Sequence, residues 1–173
     1  MRTHATFQHQ RGFTLIELLL YVSIVGTLLL SMTMFFALSV DSRVKNQSVS
    51  EVDQQGVAAM DYITQTIRNA SSITSPAAAG SAASLTLVVP TASLSPTVFD
   101  LSGTTLQVKE GSGAAVALTN AKVQASSLTF KNLSPSPSNK LVQVSFTIGR
   151  VNPASRNEYS YQKTFVGSAA VRP

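Results

Sequence analysis

The chain has 173 residues, of which 13 are Lys or Arg and 8 are Asp or Glu, giving a net charge of +5 with only 12% of residues charged. An ordinary soluble domain carries about 25%, and the mean hydropathy of +0.18 is high, so apolar surface is expected outside a water-soluble core. There is no Cys and no Trp, and the histidines are His4 and His9, which excludes disulfides, thiolate metal sites and a cysteine nucleophile.

In chain order, residues 1–12 form a short basic leader with Arg2, Arg11 and no acid. Phe13 follows, then a carboxylate at Glu17, then 23 residues without a charge, 18–40. At about 1.5 Å per residue a helix over this run reaches about 34 Å, enough to cross a hydrocarbon layer of about 30 Å. Basic residues flank it on both sides, with Arg43 and Lys45 beyond it, so charge sets its orientation weakly. Tyr21, Phe35 and Phe36 read as membrane-embedded or interfacial aromatics. Gly26 and Ala37 are small, but no GxxxG spacing joins them.

A second helical pattern continues directly. Val49, Val52, Gly56, Ala59, Met60, Ile63, Ile67 and Ala70 fall on one face, with Glu51, Asp53, Gln54, Asp61, Gln65 and Arg68 opposite. No proline precedes Pro76, so nothing obliges a break. The expectation is one long helix over residues 13–70, apolar all round across 18–40 and amphipathic over 41–70, whose apolar stripe needs a partner.

Residues 71–84, SSITSPAAAGSAAS, read as a small-residue linker. Beyond it lie short β-prone runs at 85–89, 98–101, 104–109, 115–118, 128–131, 141–148 and 158–166, with a tight turn expected at Ser102 and Gly103. The fold class is therefore α+β: a long N-terminal helix packed on a C-terminal antiparallel sheet, the head, at 85–173. Residues 76–173 carry eight basic residues against Asp100, Glu110 and Glu158, so the head is basic.

Catalysis needs convergent groups, and the pattern points away from an enzyme. If the leader is removed, both histidines go with it, leaving no basis for a Ser-His-Asp triad or a His-based metal site. The three head acids are widely spaced in sequence, and no calcium loop, phosphate-binding glycine loop or nucleophile elbow occurs. No catalytic, metal or cofactor residue is assigned.

Residues 11–26, RGFTLIELLLYVSIVG, carry the most specific pattern: a basic leader ending in Gly12, then Phe13, Thr14, Leu15, Ile16 and Glu17 before the apolar run. This resembles the class III signal of type IV prepilins and type II secretion pseudopilins. The resemblance implies that a prepilin peptidase cleaves between Gly12 and Phe13 and N-methylates Phe13. It implies anchoring in the bacterial inner membrane with the head outside the cytoplasm. Assembly with other pilins through the helix would follow, served indirectly by a platform protein and an ATPase. The pilin architecture, a long helix followed by a sheet, is the same α+β arrangement. Segments such as SLTLVVP (84–90), TVFDLSGTTLQVKEG (97–111) and LVQVSFTIG (141–149) look similar in order to the heads of minor pilins and minor pseudopilins. The absence of a proline in the apolar run and of a cysteine pair agrees with a minor subunit.

An ionised carboxylate inside a membrane costs roughly 2.5–3.5 kcal/mol on insertion scales, less near an interface. Glu17 lies four residues from Phe13, about 6 Å along a helix, so it sits shallow. Cleavage at Gly12 would create the α-amine of Phe13, a positive partner for Glu17 within the helix or on a neighbouring subunit. Glu17 is accordingly read as an assembly residue. Two alternatives use other features: a DNA- or surface-binding role for the basic head in a competence or adhesion pilus, and ordinary signal-peptidase cleavage near FALS (36–39).

Overall fold

The computed structural model describes residues 12, 14–134 and 140–172. It divides into two units, residues 1–41 and 42–173. The helix α1, Leu15–Asn69, supplies most of the described part of the first unit and opens the second.

In the first unit no described residue is buried. Leu15, Leu30 and Phe35 keep 79%, 72% and 74% of their surface, so this stretch presents apolar side chains around its whole circumference. Water is a poor medium for such a cylinder, and by length and composition it is able to cross a membrane.

The second unit has a conventional core. One face of α1 is buried at Ser48, Val52, Gly56, Ala59, Ile63 and Ile67, and Ala70 continues it. The strands are β1 (Ser72–Ser75), β2 (Ser81–Ala82), β3 (Leu85–Val88), β4 (Thr97–Ser102), β5 (Thr105–Glu110), β6 (Val116–Ala117), β7 (Val123–Asn132), β8 (Leu141–Arg150) and β9 (Gln162–Ala170). They form two antiparallel sheets, β1-β3-β4-β5-β6 and β2-β7-β8-β9. The head thus has two sheets where the sequence suggests one. The Thr104 carbonyl accepts from Ala125 N–H at 2.7 Å, joining the β4–β5 hairpin of one sheet to β7 of the other. That hairpin turns at Gly103, whose φ of +61° suits a residue without a Cβ.

Residues 71–84 correct the linker expectation. They contain β1 and β2, paired with β3 and β7. Asn132, buried, donates from Nδ2 to the Pro76 carbonyl at 2.9 Å, and its backbone N–H donates to Gly80 O at 2.9 Å. Small side chains let this segment lie close to the sheets, where its backbone groups find partners.

The stripe on α1 meets β9 through paired large and small residues. A Cβ placed on Gly56 would lie 2.1–2.6 Å from three atoms of the Phe165 ring, and one on Gly167 would lie 2.7 Å from Met60 Sδ. Lys163 Nζ donates to Asp53 Oδ1 at 2.9 Å in the same row. Positions 53, 56 and 60 cover about 10.5 Å of helix and positions 163 to 167 about 13 Å of strand, so helix spacing and alternate strand residues stay in step. The Asp53 hydrogen bond and charge raise the Lys163 pKa against a smaller opposing effect of desolvation. Elsewhere Asn120 donates to Glu51 at 2.6 Å and, through its backbone, to Gln55 at 3.2 Å. Tyr62 donates to Glu110 at 2.9 Å while its ring meets Phe99 edge-on at 6.1 Å. Burial first, then the Glu110 hydrogen bond and charge, push the Tyr62 hydroxyl above its ordinary pKa.

Candidate functional site

Helix α1 begins with a capping arrangement. Thr14 Oγ1 accepts from the Glu17 N–H at a long 3.4 Å, and the Thr14 carbonyl accepts from Glu17 and Leu18 N–H at 3.1 and 3.2 Å. Thr14-x-x-Glu17 is the sequence form of a capping box. A carboxylate in the first turn also faces the positive end of the helix dipole. Gly12, just before, is exposed, with nothing within 4 Å of where a Cβ would stand. Phe13, the expected site of cleavage and methylation, lies outside the described residues, as do His4, His9, Arg2 and Arg11 of the leader.

Glu17 is exposed, and its Oε1 accepts from the Tyr21 hydroxyl at 3.3 Å, one helical turn on. This hydrogen bond shares the carboxylate's charge with a neutral donor and leaves it uncompensated by any cation that the described residues place there. Further along, Ser23, Thr27, Ser31 and Thr33 donate to the carbonyls of Leu20, Ile24, Leu28 and Leu30 at 2.8–2.9 Å. These hydroxyls satisfy themselves within their own helix, which is why polar residues fit a run that otherwise reads as lipid-soluble.

The family model for the prokaryotic N-terminal methylation motif matches residues 7–33. The chain carries a class III, type IV prepilin-like signal. The match covers Gly12, Phe13 and Glu17 together with Thr14 and Tyr21, and ends inside the apolar run. With α1 and the antiparallel sheets, the architecture is α+β and pilin-like. Neither the curated proteins nor the solved structures give a match to the chain.

Two residues of this site go unassigned in the sequence reading. Thr14 is signalled by the T-x-x-E spacing, and Tyr21 by its i+4 relation to Glu17. In the head, Arg150 and Arg156 both stand over the Tyr159 ring, at 5.9 and 5.6 Å. Arg156 also pairs with Glu158. The Glu158 carboxyl is held below its ordinary range, chiefly by its own backbone N–H and then by Arg156, against the opposing effect of desolvation. Among the described residues no three His, Cys, Asp or Glu side chains come together as a metal site.

Proposed function

We propose that this chain is a non-catalytic minor pilin or pseudopilin subunit. It is cleaved between Gly12 and Phe13, N-methylated on Phe13, held in the inner membrane by residues 18–40, and assembled by bundling of those helices. The observation that carries this reading is the methylation motif at 7–33 laid over a helix with no buried residue between Leu15 and Val40. Such a surface must be covered by lipid before assembly and by other helices after it. Glu17 supplies the one carboxylate in that region. Its role on this reading is to pair with the α-amine of Phe13 that cleavage creates, within the helix or on a neighbouring subunit. The work of drawing the helix from the bilayer comes from a separate ATPase and platform protein.

N-terminal mass spectrometry of the protein recovered from cells that contain a prepilin peptidase tests the processing step. The expected terminus is methylated Phe13. Intact Met1, or a terminus near residue 40, refutes it.

A further inference from the structure

Three cations converge where α1 ends. Arg68 stands in its last turn. The chain then turns into β1 through Ser71, whose N–H donates to Val88 O at 2.7 Å. Lys140 opens the approach to β8 and Arg172 follows β9. Hydrogen bonds tie these segments together: Arg172 N–H to Arg68 O at 3.2 Å, Val171 N–H to Lys140 O at 2.9 Å, and Lys140 Nζ to Ser71 O at 2.5 Å. The result is a surface groove of about 530 Å³ whose lining, among the described residues, includes all three basic residues and no acid. A second cavity of about 490 Å³ shares Arg68 and Arg172 and adds Asp61.

Lys122 pairs with Glu51, Lys163 with Asp53 and Arg156 with Glu158, while Arg150 stacks on Tyr159. Among the described residues, Arg68 and Arg172 make no side-chain ion pair. What distinguishes these cations is that they meet: Arg43, Lys45, Lys109 and Lys131 also make no side-chain ion pair among the described residues, but none of them lines this groove. The negative end of a helix is equivalent to about half a charge, which one cation balances. Arg68 and Arg172 are exposed, so solvent screens their repulsion, and Asp61 lies in the adjoining cavity; three cations around one groove nevertheless make it a favourable place for a further anion.

We propose that the Arg68–Lys140–Arg172 groove binds phosphate groups. A phosphate offers more oxygens and more negative charge than a carboxylate. It matches two guanidinium forks and an ammonium that still has protons to donate after bonding Ser71 O. The inference does not depend on the assembly reading.

The test uses the full chain in neutral detergent micelles, titrated calorimetrically with inorganic pyrophosphate and, separately, with a short single-stranded oligonucleotide. Saturable binding that weakens as salt rises is expected, with affinity falling about tenfold or more in Arg68→Gln/Arg172→Gln. Lys109→Gln, on β5 and outside the groove, should keep wild-type affinity. Tighter binding of the oligonucleotide identifies a phosphodiester chain as the source, and equal binding identifies an isolated phosphate group. If the double variant misfolds, Arg172→Gln alone serves, with the same direction of effect. No saturable binding of either probe overturns the proposal, as does Lys109→Gln weakening binding as much as the groove variant.

Discussion

Replacing Gly56 by alanine sets two effects of known sign against each other. In an exposed helix the change stabilises by about 1 kcal/mol. Here the new methyl would stand 2.1, 2.2 and 2.6 Å from three atoms of the Phe165 ring, where carbon atoms at optimal separation lie about 3.5–4.0 Å apart. The ring must retreat by more than an ångström. It is stacked on Phe146 at 5.6 Å, with Lys163 Nζ 5.3 Å from its centroid, so retreat disturbs the inner face of β8 and β9. Overpacking of this kind costs about 1–3 kcal/mol, enough to outweigh the helix gain. The assay is urea unfolding of a fragment covering 42–173, which contains every buried core residue, followed by tyrosine fluorescence. Gly56→Ala should lower the midpoint. In a Phe165→Ala background the same change should instead raise it, because only helix propensity remains. A Gly56→Ala protein more stable than wild type with Phe165 intact would refute the reasoning.

The converse contact is softer. Gly167→Ala meets the flexible end of Met60 and should cost under about 1 kcal/mol in the same assay, clearly less than Gly56→Ala. Tyr62 should ionise above its ordinary range, as a late step in an ultraviolet absorbance titration. Its raised folded-state pKa gives stability that is complete below the unfolded value of about 10 and is lost as pH rises through the folded one. Tyr62→Phe should therefore remove both the late titration step and that share of the alkaline loss. Glu17→Val should leave the head's unfolding unchanged yet prevent incorporation of the chain into fibres; normal incorporation in a shedding assay would sink the assembly role of Glu17.

The helix was readable because its stripe obeys one period: Val52, Gly56, Ala59, Ile63, Ile67 and Ala70 are buried, while Val49 and Met60 of the same stripe are half-buried at its edges. Ser48 joins them unannounced, because its hydroxyl returns to Val44 O at 2.9 Å and spends its polarity locally. The strands were harder to read. β7 runs from Val123 to Asn132, yet clean alternation appears only over 128–131, because a bulge between Ser126 and Thr129 shifts the inward side chains from odd to even numbers. The alternation of Tyr159, Tyr161 and Lys163 suggests that β9 begins at 158. In fact residues Asn157–Tyr159 form a 3-10 turn, where Tyr159 serves Arg150 and Arg156 rather than a ladder. At the motif, the residue types announced Gly12, Phe13 and Glu17. The groove was not readable, because Arg68, Lys140 and Arg172 are far apart in the chain and meet only through the return of β9 to the end of α1.

The inward-turned hydroxyls of Ser23, Thr27, Ser31 and Thr33 bear on reversibility. On the assembly reading, trading lipid tails for neighbouring helices breaks none of these bonds and requires none in return. The two environments are then close to isoenergetic for this surface, and insertion and withdrawal can run in either direction under modest external work. On the same reading, axial position along such a smooth cylinder is left to Glu17 at its beginning.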